Sequence, residues 1–356
     1  MRSFGVFALV GAALVACGDD STGGGGAGGS GALGGGGQSS SQGGGGASQA
    51  GGAGGVGGSE STGGGGALPT GTPRFVAVGY GGRRMTSDDG STWENNVVVD
   101  PNGGDDNNLF RGVGFGGGLY VAVGGSSAGQ IFTSPDGIAW TSQTPAGSWL
   151  GDVVYVDGAF VAAGGNGLRQ RSSDSGVTWT HQTDYYAGHY RGLAAGNGIV
   201  VSAGHTYGLA TNTGLLSYST DAGLTWSAEI TTGPELNSID FGNGVFVAVG
   251  GAGCLRSTDG MVFTDCGLAG GNLDSVTFLN GEFVVPDQSG YWHSANGADW
   301  QHLAAEVHGV TAYGLGLYLA VDWPDRVYSS PDLSAWSLVE QGNGPAFTEV
   351  VLGYVE

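Results

Sequence analysis

Ser172-Ser-Asp174-Ser-Gly176-Val-Thr-Trp179 is the stretch on which the fold turns, because close copies of it occur at Thr86-Ser-Asp88-Asp-Gly90-Ser-Thr-Trp93 and Ser219-Thr-Asp221-Ala-Gly223-Leu-Thr-Trp226. Four looser copies bring the acidic or amide residue one place nearer the aromatic: Ser134-Pro-Asp136-Gly137 before Trp140, Ser257-Thr-Asp259-Gly260 before Phe263, Ser294-Ala-Asn296-Gly297 before Trp300, and Ser330-Pro-Asp332-Leu333 before Trp336. The aromatic positions are separated by 47, 39, 47, 37, 37 and 36 residues, the period of a four-stranded propeller blade. Each copy has a plain structural purpose. Ser and Asp cap the N–H groups of a tight turn, Gly supplies positive φ, and the aromatic ring folds over the hairpin.

Working outward, each copy is preceded by a short apolar strand, as in Leu119-Tyr-Val-Ala-Val-Gly124, Ala159-Phe-Val-Ala-Ala-Gly164, Val245-Phe-Val-Ala-Val-Gly250 and Leu317-Tyr-Leu-Ala-Val321. Ahead of that lies another strand, such as Phe110-Arg-Gly-Val-Gly-Phe115 or Leu236-Asn-Ser-Ile-Asp-Phe241, joined by a Gly/Asn turn. Each repeat therefore reads as four strands, with the motif as the turn between the third and fourth. The first repeat is incomplete, since Arg74-Phe-Val-Ala-Val-Gly79 starts at the second strand. Phe347-Thr-Glu-Val-Val-Leu352 matches the missing first strand. It is predicted to cross to the N-terminal blade and close an all-β, seven-bladed propeller with no free edge.

The repeated strings resemble Asp-boxes (BNR-like repeats), and over residues 74–356 the chain resembles the sialidase, sortilin and photosystem II stability-factor propellers. The resemblance implies that the boxes are structural staples lying on the face opposite any functional site, so candidate residues belong to the other loops. It does not select a function. Sialidases have six blades, an Arg-Ile-Pro motif, three Arg around a carboxylate, a Tyr/Glu nucleophile pair and an Asp acid. This chain has seven repeats, no Arg-Ile-Pro, and no Glu evidently set beside a loop Tyr.

The N-terminus reads separately. Arg2, an apolar run from Phe4 to Val15 and the string Leu14-Val15-Ala16-Cys17 have the shape of a secretory signal too short to span a bilayer. The string resembles a bacterial lipobox, which implies a signal peptide over 1–16, a lipid on Cys17 and a place in the cell envelope at the outer membrane or surface; the alternative is an ordinary signal with a chance cysteine. Residues 17–67 are almost wholly Gly, Ser, Ala, Thr and Gln without an aromatic, and bury too little to offset chain entropy, so they form a lipid-anchored tether. Residues 68–356 are the folded domain. With ten Arg, no Lys and a net charge of −21, nucleic acid is not an expected partner and the membrane is met only through the lipid. The domain is expected to be a monomer without cofactor or metal. Cys254 and Cys266 lie six residues either side of Gly260, which places them opposite each other across a hairpin as a disulfide in an oxidising compartment, the alternative being a free or metal-binding pair.

Aligning the first strands gives a polar ring position at Arg111, Gly151, Arg191, Asn237, Asp274, His308 and Thr348, expected near the mouth of the central channel. Arg111 and Arg191 suit a carboxylate or sulfate, and Asp274 with His308 suit proton transfer; hydrated, mutually balancing channel residues are the simpler reading. The densest aromatic group is Asp184, Tyr185, Tyr186, His189 and Tyr190 with His205 and Tyr207, read either as a sugar- or peptide-binding rim or as loop packing. Asp105-Asp106-Asn107-Asn108 is oxygen-rich enough for calcium, or simply solvated. No His-Glu-x-x-His and no Cys/His zinc spacing is found. The sequence thus points to a non-catalytic envelope binding or assembly module that recognises a protein or glycan through its loop face. The alternative is a glycan-active enzyme, hydrolase or lyase, working at the channel mouth with carboxylates such as Asp274 and Asp184.

Overall fold

The computed structural model describes residues 71–144, 147–183, 188–207, 212–251, 253–268 and 273–356. Cys17, the 1–16 leader and the 17–67 tether lie outside them, as do Asp184, Tyr185 and Tyr186. Seven four-stranded antiparallel sheets make up the described residues, each in simple meander order. Blade 2 is representative, running Phe110–Gly116, Leu119–Gly125, Gly129–Ser134 and Thr141–Gln143 from the centre outward. Blade 1 is built from both ends of the chain. Its innermost strand, Phe347–Val355, pairs with Thr72–Gly79 over its full length, which is the predicted closure.

Burial explains the strand sequences. Second strands lie between two neighbouring blades and are buried on both faces, so Phe75 to Val78, Tyr120 to Val123 and Phe246 to Val249 are continuous apolar runs rather than alternating ones. Outermost strands such as Glu94–Val97 are exposed and polar. Seven apolar clusters occupy the seven blade junctions; that between blades 7 and 1 joins Leu319, Val321 and Val327 to Phe75, Met85 and Trp93.

The Ser-x-Asp turns come in two lengths. In the longer one Ser172 Oγ donates to Asp174 Oδ1 (2.7 Å) and accepts from Gly176 N, while Asp174 accepts from the Thr178 N–H (2.9 Å) and hydroxyl (2.5 Å), and the Thr178 hydroxyl is the leading cause that holds the carboxyl down to about 2. Ser219 and Asp221 repeat this. Ser134, Ser257, Ser294 and Ser330 form the shorter turn, and the first repeat proves to belong with them. There the capping pair is Ser87 and Asp89 instead of Thr86 and Asp88, because Asp89 accepts the N–H groups of Ser91 (2.7 Å) and Thr92 (2.6 Å). Asp88 is turned outward to pair with Arg74 (2.6 Å). Cys254 and Cys266 are joined as a disulfide across the fifth turn, with Cα atoms 5.5 Å apart.

A buried clamp reinforces the closure. Arg83, 0% exposed, pairs with Asp325 of the blade 7 loop, donates to Pro345 O (2.9 Å) and lies 4.0 Å over the Phe347 ring, while Asp325 also accepts the Gly344 N–H (2.7 Å). Three segments from blades 7 and 1 are thereby held where the two chain ends meet. Removing one partner strands a charge in the interior. Asp325→Ala is expected to cost about 3–5 kcal/mol in denaturant-induced unfolding, and the paired replacement Arg83→Met with Asp325→Leu markedly less; equal losses in the two proteins would show that the ion pair is not what holds the junction.

Candidate functional site

Innermost strands of all seven blades line a central cavity of about 360 Å³. In blades 1 to 5 the strand is interrupted by one extra residue near its upper end: Thr348, Arg111, Gly151, Arg191 and Asn237 each fall at a shift in pairing register. Such a bulge re-aims a side chain. It also brings the strand so close to its neighbour that only glycine fits opposite. A Cβ on Gly124, Gly164, Gly204 or Gly250 would stand 1.9–2.0 Å from a backbone carbonyl oxygen of the adjoining segment. The ring position read from the sequence is therefore the bulge position in five blades, and Arg111, Gly151, Arg191 and Thr348 line the cavity.

His308 departs from that reading. It is 3% exposed, donates through Nδ1 to Asp322 at 2.5 Å, and stacks on Tyr328 at 4.0 Å, inside the junction of blades 6 and 7. The bulge of blade 7 falls at Thr311, so Gly309, Val310 and Thr311 supply the channel wall there and His308 takes a buried place. Asp274 does not line the cavity but its charge acts on Arg191. Proton transfer between Asp274 and His308 at the mouth is thus not what the geometry offers.

The two guanidiniums are differently held. Arg111 pairs with Asp105 (2.6 Å), donates to Gly125 O and lies 5.0 Å over the Trp149 ring. Arg191 reaches Asn237 Oδ1 at 3.4 Å; burial of its inner side is the main cause lowering its basicity, opposed by Glu235 and Asp274 and assisted by Arg111. It remains charged and, with its tip open, is the freer cation.

Aromatic side chains extend the mouth. Trp149 meets His189 edge-on at 5.3 Å, and His189 stacks on Tyr207 at 4.5 Å with planes 12° apart. Across the mouth Tyr80 and Trp323 line the cavity and contact each other at 6.2 Å, with Trp323 52% exposed. Tyr80 and Trp323 lie in second-to-third-strand loops, the loop class the repeat reading nominates, but a single Trp-Pro among Gly-rich turns carries no period. Of the predicted rim, Tyr190 is corrected to a core residue: it is 0% exposed, accepts from Arg169 and donates to Glu229, both at 2.6 Å. His205 is also buried, and among the described residues of that group only His189 and Tyr207 reach the surface. The acidic loop is used for folding. Asp106 accepts from Asn108 N, and Asn107 Oδ1 accepts the N–H groups of Ser127 and Ala128.

Deeper in the channel stand three carboxyls that the sequence reading does not single out. Asp152 accepts its own neighbour's Val153 N–H and the Leu193 N–H of the next blade (2.8 Å); Asp240 does the same with Phe241 and Phe278 (2.6 Å); Glu349 accepts from Val113 (2.8 Å). Thr311 Oγ1 accepts from Val350 N in the same manner. They are links between blades. Each is half-buried at the channel wall, and burial pushes Asp240 up to about 7 and Asp152 up to about 6; burial and then the Asp152 charge raise Glu349 well above the usual range. Elsewhere Ser289, Asp287 and His302 gather on blade 6, but hydroxyl and carboxylate approach the same Nε2 at 3.3 Å, so the ring cannot pass a proton from one to the other.

No protein-family model and no curated protein matches the chain. Among solved structures it is similar to YCF48 bound to D1 peptide, at 18% identity and a TM-score of 0.51 over 80% of this chain and 89% of that one. It is similar also to YCF48 from Cyanidioschyzon merolae, at 13% identity and a TM-score of 0.50 over 69% and 95%. These likenesses establish the shared fold.

The channel carboxyls give stability a definite pH sign. A carboxyl whose pKa is raised on folding binds its proton more tightly in the folded state, so its contribution is full at low pH and is lost as pH rises through the raised value. Between pH 6.5 and pH 8, above the range in which the depressed His189 and His205 act in the opposite sense, unfolding free energy is expected to fall by on the order of 1 kcal/mol, discounted for partial access from the channel. Melting curves that are flat or rise over this interval would contradict it.

Proposed function

We propose that this protein is a non-catalytic binding module of the bacterial cell envelope, which recognises a protein or a glycan at the channel mouth. The observation that carries the reading is the mouth itself: Arg191 and Arg111, with Trp149, Tyr207, Tyr80 and the exposed Trp323, surround an open cavity in a domain otherwise strongly acidic. Such a surface selects a ligand that brings one acidic group together with an apolar ring or sugar face, while the net charge of −21 opposes polyanions. Large aromatics on rigid backbone lose little entropy on binding. That the channel carboxyls accept backbone N–H groups favours binding over hydrolysis, which asks for two carboxyls free to act across a pocket. The structure of YCF48 bound to D1 peptide lends weight to a protein partner, since it has this fold and holds a peptide.

The envelope part rests on Leu14-Val15-Ala16-Cys17 and the Gly-rich stretch that follows. A coil of about 50 residues spans roughly 40 Å, enough to hold the propeller clear of a membrane surface. Cys17→Ser is expected to abolish the mass increment of an attached lipid and to release the protein from washed membranes. Retention of the variant in the membrane fraction would refute lipid anchoring.

Binding is tested by presenting the purified protein to a glycan array and to a peptide array, beside Arg191→Ala and Trp323→Ala. Each variant is expected to weaken binding at least about tenfold, as loss of a charge-assisted contact or an aromatic anchor does. Captured glycan recovered in cleaved form would overturn the non-catalytic reading, and binding unaltered in both variants would move the site away from the mouth.

A further inference from the structure

We infer that His189 and His205 form a two-imidazole site for a borderline divalent ion of the copper, nickel and zinc class, on the blade 4 side of the channel mouth. The two residues are direct cross-strand partners on Gly188–Gly196 and Ile199–Thr206, so their side chains leave the same face of the sheet, and their rings lie 5.9 Å apart. The His205 Nδ1 atom is 2.8 Å from Thr206 O. A carbonyl only accepts, so Nδ1 carries the proton and the lone pair of the neutral ring sits on Nε2. That Nε2 atom is buried and has no hydrogen-bond partner. A buried polar atom is ordinarily satisfied; a metal ion satisfies this one. An imidazole whose Nδ1–H is fixed by a backbone carbonyl is also the arrangement that orients histidine ligands in metal proteins.

His189 is held as firmly, between the Tyr207 face and the Trp149 edge. Arg191 repels a cation, but its guanidinium extends toward Asn237 of blade 5, and Glu235 acts on His205 with the opposite sign. Among the described residues no third His, Cys, Asp or Glu completes a metal-holding group. The site accordingly has open positions for water or a partner's side chain. Its preference follows ligand type, with copper(II) above nickel and zinc. The inference is independent of which partner the mouth binds.

The test uses the untagged chain, freed of metal by chelation and titrated with copper(II) at pH 7. One equivalent is expected to bind with a paramagnetic resonance spectrum showing two nitrogen ligands, and His189→Ala and His205→Gln should each weaken binding at least tenfold. His293→Ala and His302→Ala serve as controls, because each of those rings already faces a carboxylate, Glu282 at 3.1 Å and Asp287 at 3.2 Å; both should bind as wild type does. Absence of binding to the wild type, undiminished binding in the double variant His189→Ala/His205→Gln, or loss of the ion in a control would overturn the site. If His205→Gln fails to fold by circular dichroism, chemical acylation of wild-type histidines decides. Copper must protect His189, and protection only elsewhere defeats the inference.

Discussion

Everything in this molecule depends on how one blade is tied to the next, because the strand ladders of the described residues run within blades. The innermost strand of each blade is an edge strand whose outward N–H groups have no ladder partner, and unpaired edge groups in a protein centre are costly. Here the neighbouring blade supplies the acceptor from a side chain: Asp152 for Leu193, Asp240 for Phe278, Glu349 for Val113 and Thr311 for Val350. Carboxylates suit this role since each has two oxygens, one for its own strand and one for the next. The consequence is a polar channel crowded with acid, whose carboxyls are raised by burial and mutual repulsion. The same residues that close the ring thus oppose one another once ionised.

Closure also determines where the binding surface lies. The bulges at Thr348, Arg111, Gly151, Arg191 and Asn237 place one residue per blade near the mouth, and the glycines opposite allow the tight approach. Four of those five carry a side chain, and two of the four are arginines. Because Arg111 is already engaged by Asp105 and Trp149, it shapes the mouth and fixes the tryptophan, whereas Arg191 keeps its tip open. Trp323 is placed by a related economy of means. Its flanking residues Asp322 and Asp325 accept from Gly309 and Arg83, so the loop that presents the indole is fastened on one side to the innermost strand of blade 7 and on the other to the closure clamp.

What the sequence made legible follows from repetition. Seven copies of one turn specify blade count and strand order, and the missing first strand of repeat one together with Phe347 to Leu352 specifies the closure, because a periodic pattern leaves only one place for an unmatched piece. Features that the repeat does not carry are harder to read, apart from the Cys254–Cys266 disulfide, whose symmetry about the turn reveals it. His308 aligns with the mouth in sequence, but the bulge at Thr311, two strand positions away from its place in other blades, leaves the ring inside the junction of blades 6 and 7. Tyr190 reads as a rim residue, being next to Tyr and His in sequence, but strand alternation about the bulge at Arg191 puts the two on different sides. In the first repeat Asp88 and Asp89 are chemically equal candidates, and the choice was made by Arg74, a residue 14 positions away. The channel acids sit singly within apolar strands, where one carboxylate has no signature until seven strands are brought around an axis.

The two faces of the ring are chemically distinct, and chain direction assigns them. Thr72–Gly79 starts beside Val355 and ends where Tyr80 lines the cavity, so it runs from the face of the Ser-x-Asp turns to the face of the mouth. Residues preceding Thr72 therefore join the domain on the turn face. Arg191, Trp323 and Tyr207 accordingly lie on the face opposite the point at which the chain enters the domain, so the N-terminal connection and the mouth do not compete for one surface.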